Sequence, residues 1–217
     1  MPNWVSTKIE VFAPSKIQLV QAIEAVLSKD DEKGNPKNHI SFNTIIPAPE
    51  DNEGWYEWNC ENWGTKWDAC HTNEITRDYI LQNMVPKKSE VMGDGFAFTV
   101  EFATAWSFAA PFVQEWSVRF PDVQFTASFY DEDYTANYGK GVWFGKLGKE
   151  GEGMYVGALS RLGKEVDFVQ AASLFFEITG DNVMEPPTSP DHDWRDYIVR
   201  WNKEKEGVEY ADIPQTA

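Results

Sequence analysis

Between Gly95 and Trp106 the apolar side chains Phe96, Phe98, Val100 and Phe102 occupy every second position. A period of two sends neighbouring side chains to opposite faces, so this stretch specifies a half-buried strand and not a helix. Val5 to Ala13 repeats the pattern, with Val5, Thr7, Ile9 and Val11 on one side and Ser6, Lys8, Glu10 and Phe12 on the other. A strand with one apolar face needs a layer to cover it, and the intervening sequence supplies helices.

Pro14 and Ser15 open the first of these. Ile17, Leu19, Val20, Ile23, Val26 and Leu27 recur at helical spacing until the polar run Lys29-Asp30-Asp31-Glu32-Lys33-Gly34 ends it. Ser107 is placed to cap a second long helix with Phe108, Phe112, Val113 and Trp116 inward, closed by Phe120-Pro121-Asp122; Val123 to Tyr130 then alternates again as a strand. Between the two units, Pro47 and Pro49 exclude Ile40 to Pro49 from a central strand, so it reads as an extended connection along an edge. Glu50, Asp51 and Asn52 offer capping oxygens to a short helix around Trp55 to Trp63, and Gly64 suits its left-handed stop. Thr65 to Ile75 reads as extended and is expected to pair with Gly95 to Trp106 as a long antiparallel hairpin. The residues between them, 74–94, carry Ile75, Tyr79, Ile80 and Met84 at helical spacing and then the polar Pro86-Lys87-Lys88-Ser89, the pattern of a helical insertion.

The resulting order is strand, helix, strand, strand, helix, strand. That is the α+β, ferredoxin-like βαββαβ arrangement, an antiparallel sheet with helices on one face. Gly139 to Leu147 and Gly153 to Leu159 flank the turn Gly148-Lys149-Glu150-Gly151 and should add a hairpin to the sheet. Glu165 to Thr179 reads as a further helix. Past a proline-rich break at 186–190, Asp193 can cap a helix bearing Trp194, Tyr197, Ile198 and Trp201 at i, i+3, i+4 and i+7. That stripe either folds back on the body or docks on a partner. The expected division is a ferredoxin-like domain over 1–160 and a helical extension over 161–217.

Charge narrows the classes of partner. The 217 residues hold 19 Lys and Arg against 35 Asp and Glu, a net charge of -16, which repels phosphate backbones and anionic headgroups. Generic nucleic-acid or membrane binding is therefore disfavoured, and a protein partner with a basic surface is the expectation. No run of eighteen apolar residues is present, and Met1-Pro2-Asn3-Trp4 lacks the charged start and apolar core of a signal peptide, so the chain is expected in the cytoplasm with Cys60 and Cys70 as free thiols.

The densest chemical signal is Trp55, Trp58, Trp63 and Trp67 together with Asn62 and Lys66. Trp58, Asn62, Trp63, Lys66 and Trp67 are the candidate binding residues: indole faces and an amide can form a pocket that stacks a ring, with Lys66 supplying one positive charge. The same residues can instead clamp the short helix onto the sheet. Cys60, Cys70, His71, His39 and His192 have no metal-ligand spacing, so neither metal nor cofactor is expected. No catalytic residue is identified. Cys70 and His71 are sequence neighbours, which on a strand point to opposite faces, and Asp131-Glu132-Asp133 and Glu50-Asp51-Asn52-Glu53 lack the spacing of a cation loop.

Four strings carry a family resemblance: Met1-Pro2-Asn3-Trp4-Val5, Phe42-Asn43-Thr44-Ile45-Ile46-Pro47-Ala48-Pro49-Glu50, Glu61-Asn62-Trp63-Gly64-Thr65-Lys66-Trp67-Asp68-Ala69, and Thr104-Ala105-Trp106-Ser107. Together they resemble the YubB-like proteins of plasmids and phages, a family of unknown function. The resemblance implies a ferredoxin-like domain and a mobile-element origin. With the charge, it implies a non-catalytic interaction or anti-defence factor. The alternatives are a small-molecule or nucleotide-binding module at the Trp-Asn-Lys cluster, and a DNA mimic that presents its acids like phosphates.

Overall fold

Strand β1 (Trp4–Ala13) is hydrogen-bonded along its length on both sides. The computed structural model describes residues 3–29, 38–50, 53–131, 138–144, 154–160, 183–184, 197–202 and 207–212. Helix α1 (Lys16–Glu24) follows β1, then α2 (Trp55–Asn62), α3 (Arg77–Asn83), β2 (Val85–Ser89), β3 (Gly93–Ala105), α4 (Ala110–Arg119), β4 (Gln124–Asp131), β5 (Tyr138–Phe144) and β6 (Met154–Ser160). These strands form one antiparallel sheet in the order β2-β3-β1-β4-β5-β6. Its first four positions are the ferredoxin-like arrangement expected, and the β5–β6 hairpin extends it beyond β4.

The registers Ile9↔Val100 and Ile9↔Ala127, Val11↔Phe98 and Val11↔Phe125, put the alternating apolar residues of three strands on one face. Helices α1 and α4 cover that face. Ser15 caps α1 by accepting from the Gln18 amide, and Leu19, Val20, Ala22 and Ile23 are buried. The Trp116 indole of α4 donates to the Ala22 carbonyl of α1 at 2.9 Å. Phe108 stacks on Phe129 with centroids 4.4 Å apart, and Trp116 lies against Phe112 and Phe125. The opposite face carries Lys8, Glu10, Thr99, Glu101, Thr126 and Ser128, polar residues that alternate with the core set.

The structure corrects several expectations about the connections. Helix α1 ends at Glu24; Ile17 is exposed, while Val26 and Leu27 are buried in the turn that follows, where Leu27 bridges Ile40. The segment from Ile40 to Pro49 is no extended edge, because Phe42–Thr44 closes into a 3-10 turn that drives Phe42 into the core. The residues at the N-caps of α2 and α4 are Gly54 and Ala109, and neither helix has a side-chain cap. Ser107 instead donates its hydroxyl to the Gly64 carbonyl.

The hairpin partner of β3 is β2, inside the stretch expected to be a helical insertion. Helix α3 occupies only its first part; Val85–Ser89 then pairs with Gly93–Ala97. Pro86 is tolerated because β2 is an edge strand, where a missing donor faces outward. Thr65 to Ile75 pairs with β3 through the isolated backbone bridge Cys70↔Ala103 and not through a ladder, alongside the part of β3 that β2 does not reach.

Toward the C-terminus, β7 (Val183–Met184), β8 (Tyr197–Asn202) and β9 (Gly207–Asp212) form a separate antiparallel sheet in the order β7-β8-β9. Tyr197, Ile198 and Trp201 thus belong to a strand and not to the interaction helix expected of them. A separation of four satisfies a strand's period as well as a helix's, and Tyr-Ile-Val-Arg-Trp is a strand-favouring run. Trp194 and the segment Glu165 to Thr179 lie outside the described residues.

On the core face, Thr7 stands between Phe102 and Phe129, 2% exposed, and its hydroxyl has no hydrogen-bond partner. Thr7→Val keeps the shape and removes the unsatisfied group. It is expected to raise the unfolding free energy by about 1 kcal/mol, seen as a higher urea midpoint at unchanged slope. A lower midpoint would show that the hydroxyl has a partner.

Candidate functional site

The loop after α2 divides the tryptophan-rich stretch into an inner and an outer half. On the inner side Trp63 is 5% exposed, donates its indole N–H to the Ile46 carbonyl at 2.9 Å, and packs edge-on against Phe42 and Trp58. Asn62 donates its amide to the Trp58 carbonyl one turn back, so it serves its own helix. The amide that shapes the loop belongs to Asn59, which is buried and donates to the Lys66 carbonyl at 2.8 Å. Thr65 donates its hydroxyl to the Ala105 carbonyl at 2.8 Å. Gly64 turns the chain at φ +81°, where a Cβ would lie 2.6 Å from Pro111 Cδ. Of the candidate binding residues, Trp58, Asn62 and Trp63 therefore face the helix and core.

Lys66 and Trp67 face outward and meet residues that sequence reasoning did not select. The Lys66 ammonium lies 4.5 Å from the ring centroid of Trp106, 4.7 Å from that of Trp67 and 5.9 Å from that of Tyr56. The aromatic contacts continue on both sides. Tyr56 meets Trp106 and Trp55, Trp67 meets Trp4, and Trp4 meets the His71 ring at 4.7 Å. Trp55, Tyr56 and Trp106 are 44%, 38% and 45% exposed and touch one another in a chain, so they present a contiguous aromatic surface to solvent.

Backbone conformation adds to this. Asn38, His71 and Trp106 are the non-glycine residues with positive φ among those described, and two of them sit on the aromatic arc at +55° and +71°. A bulky residue in the left-handed region costs about 1–2 kcal/mol, and such strain persists where surrounding contacts hold it. Trp106 is held by its amide donating to the Asn3 carbonyl at 2.9 Å.

Trp4 and His71 also form one wall of a cleft of about 370 Å³ on the open sheet face. Ser6, Lys8, Glu101 and Ala103 continue its lining, and Lys8 pairs with Glu101 at 3.1 Å across β1 and β3. A signal for these residues was present in the sequence: Trp106 follows directly on the clearest strand, and Trp55-Tyr56 opens a helix whose buried face lies elsewhere.

Asp68 anchors the arc from beneath. Its carboxylate accepts from the Ser41 hydroxyl at 2.6 Å, the Phe42 amide at 2.5 Å and the Ala69 amide at 2.7 Å. Burial raises its carboxyl above the ordinary range, opposed by the hydrogen bonds from Ser41, Phe42, Ala69 and Asn43. Burial, with the Asp68 charge behind it, also pushes the Cys70 thiol up, away from nucleophilic character. His71 turns to Trp4, and His39 bonds Thr72 at 2.8 Å, so neither ring serves a cysteine. Among the described residues no three His, Cys, Asp or Glu side chains converge to hold a metal, and no helix is long and apolar enough to cross a membrane.

Residues 89–151 match the family described as a ferredoxin-like domain in Api92-like protein. The match runs from the last residue of β2 through β3, α4, β4 and β5. It contains Thr104-Ala105-Trp106-Ser107, while the other three strings that resemble YubB-like proteins precede it. No curated protein and no solved structure matches the chain.

An acid whose pKa is raised by folding binds its proton more readily in the folded state. Asp68 accordingly contributes stability below the ordinary carboxylate pKa, and that contribution is lost as pH rises through its raised value. Asp68→Asn holds a neutral group at every pH. Its unfolding free energy should therefore gain on that of the wild type as pH rises from about 4 toward neutrality, measured by urea unfolding across that range. A flat difference would return Asp68 to an ordinary carboxylate.

Proposed function

We propose that this chain is a non-catalytic, cytoplasmic protein-binding module encoded by a mobile element, and that it docks a basic host or phage protein on the aromatic arc of Trp55, Tyr56 and Trp106. The observation that carries the reading is the exposure of these rings on an acidic chain. Trp and Tyr are the residues that most often dominate binding energy at protein interfaces, and here Glu57 and Glu61 stand exposed one turn apart on the same helix. A net charge of -16 steers a basic partner toward such a surface. The YubB-like strings supply the mobile-element part of the proposal, and an anti-defence role would follow from the identity of the partner.

A second reading, a small-molecule or nucleotide-binding module, is favoured by the cleft beside Trp4 and His71. Its volume of about 370 Å³ falls in the range of small-ligand sites, and the Lys8–Glu101 pair gives it polar groups beside the Trp4 ring. DNA mimicry has less support. It needs carboxylates free to stand in for phosphates, and on the open sheet face Glu10 and Glu101 are paired with Lys87 and Lys8.

The test is affinity capture from host lysate at low salt with the full chain and with the doubly substituted Trp55→Ala/Trp106→Ala chain. A basic protein retained by the wild type, released by salt and lost from the variant is the expected result. Capture that is the same for both chains, or absent from the wild type, would sink the proposal. Saturable binding of a nucleotide that Trp4→Ala abolishes would favour the second reading.

A further inference from the structure

Lys66 already fills the place that a cationic ligand would take. Its ammonium stands among three rings, Trp106, Trp67 and Tyr56, at centroid distances of 4.5, 4.7 and 5.9 Å. That is the arrangement by which aromatic cages hold alkylammonium groups. Among the described residues Lys66 forms no ion pair, so the rings hold it rather than a carboxylate. The main chain of Lys66 is fixed by the hydrogen bond from Asn59 to its carbonyl. The four-carbon stem above it is flexible, and the ammonium can leave the cage without moving the loop.

The surroundings favour a cation over an anion as the incoming group. Glu57 follows Tyr56 directly, Glu61 lies one turn further on, and both are exposed. Released into water, Lys66 regains hydration and rotamer freedom, so exchange of one ammonium for another costs little. The net gain comes from the acidic rim and from the exposed Trp55 and Trp106.

We infer that the Tyr56–Trp67–Trp106 cage is the recognition site for a lysine side chain of a basic partner protein, with Lys66 its internal occupant, displaced on binding. The inference rests on the protein-binding reading above and names the group recognised. Lys66 then sets the threshold of the interaction, because every partner competes with a cation tethered beside the site.

The experiment uses the full chain, a peptide alternating lysine and glycine as probe, and tryptophan fluorescence as readout. Lys66→Met keeps the apolar stem and removes the competing charge; it is expected to bind the peptide about tenfold more tightly than the wild type, equivalent to about 1.4 kcal/mol. Trp106→Ala is expected to lose binding at least tenfold. Circular dichroism and the unfolding midpoint establish that each variant is folded, and Trp106→Leu, which keeps apolar bulk but has no ring face, replaces Trp106→Ala where that chain does not fold. Equal affinities in all three chains would assign the peptide to the acidic surface at large and overturn the cage. Weaker binding by Lys66→Met would make Lys66 a contact rather than a competitor, and would also overturn it. If no chain binds the peptide while the wild type still captures its basic protein from lysate, the cage fails and the protein-binding reading stands. Loss of both sinks the two together.

Discussion

The double pairing of β1 is the constraint on which the rest depends. Nine residues, from Val5 to Ala13, lie opposite β3, with Trp4 opposite Ala105 as a tenth, and most of the same residues lie opposite β4. A slip of one residue in either pairing would exchange Val5, Ile9 and Val11 with Ser6, Lys8 and Glu10, burying charge and exposing the core. The helices have no freedom of their own beyond this: α1 and α4 can only cover the face that the register makes apolar. Gly95 belongs to the same constraint, since a Cβ there would run into the Phe12 ring and the Ala13 carbonyl.

A second junction joins the core to the surface. At Gly64 the chain leaves α2 in the left-handed region, receives the Ser107 hydroxyl on its carbonyl and lies against Pro111 of α4. One residue later Thr65 bonds the last carbonyl of β3, and the next residue is Lys66. The position of the caged ammonium is thus set by α2, β3 and α4 together. Trp106 is reached from the other side, as the residue immediately after β3, so the end of one strand and the loop after one helix deliver both halves of the cage.

The parts of this architecture that were legible in the sequence are those where one period excluded the other. Phe96 to Phe102 and Val5 to Val11 admit only strands, and Ser15 before an amphipathic run admits only a helix start, so the ferredoxin-like order followed. Ambiguity entered where spacing satisfied two periods, as with Tyr197 and Trp201. It also entered where tertiary contact overrode local pattern. Val85 to Ser89 carries a proline and two lysines and resembles a loop, yet its backbone completes the edge of β3. Thr65 to Ile75 reads as extended, yet Asp68 bonds back to Ser41 and Phe42, and the segment makes one isolated bridge to β3 in place of a ladder. In the candidate site the Asn-Trp-Gly-Thr-Lys-Trp string was visible as a unit, but its division into inward Asn62 and Trp63 and outward Lys66 and Trp67 depends on the turn at Gly64. Tyr56, Trp106, Trp4 and His71 come from four other places in the chain, and no local pattern joins them.

The treatment of cations gives the outer half its meaning. In a chain with nearly two acids for every base, a lysine or arginine finds a carboxylate readily. Lys8 pairs with Glu101, Lys87 with Glu10 and Arg77 with Glu24. Lys16 lies over the single ring of Phe96. Lys66 alone among the described lysines stands against three rings, in a loop whose neighbouring helix has carboxylates to offer. Ring faces attract an ammonium without neutralising it, and at a partly exposed site they hold it by about 0.5–1 kcal/mol per contact. A carboxylate would have fixed the charge in a directional hydrogen bond and closed the position to others. Rings leave it exchangeable, because their attraction depends on charge and distance and not on which ammonium supplies them.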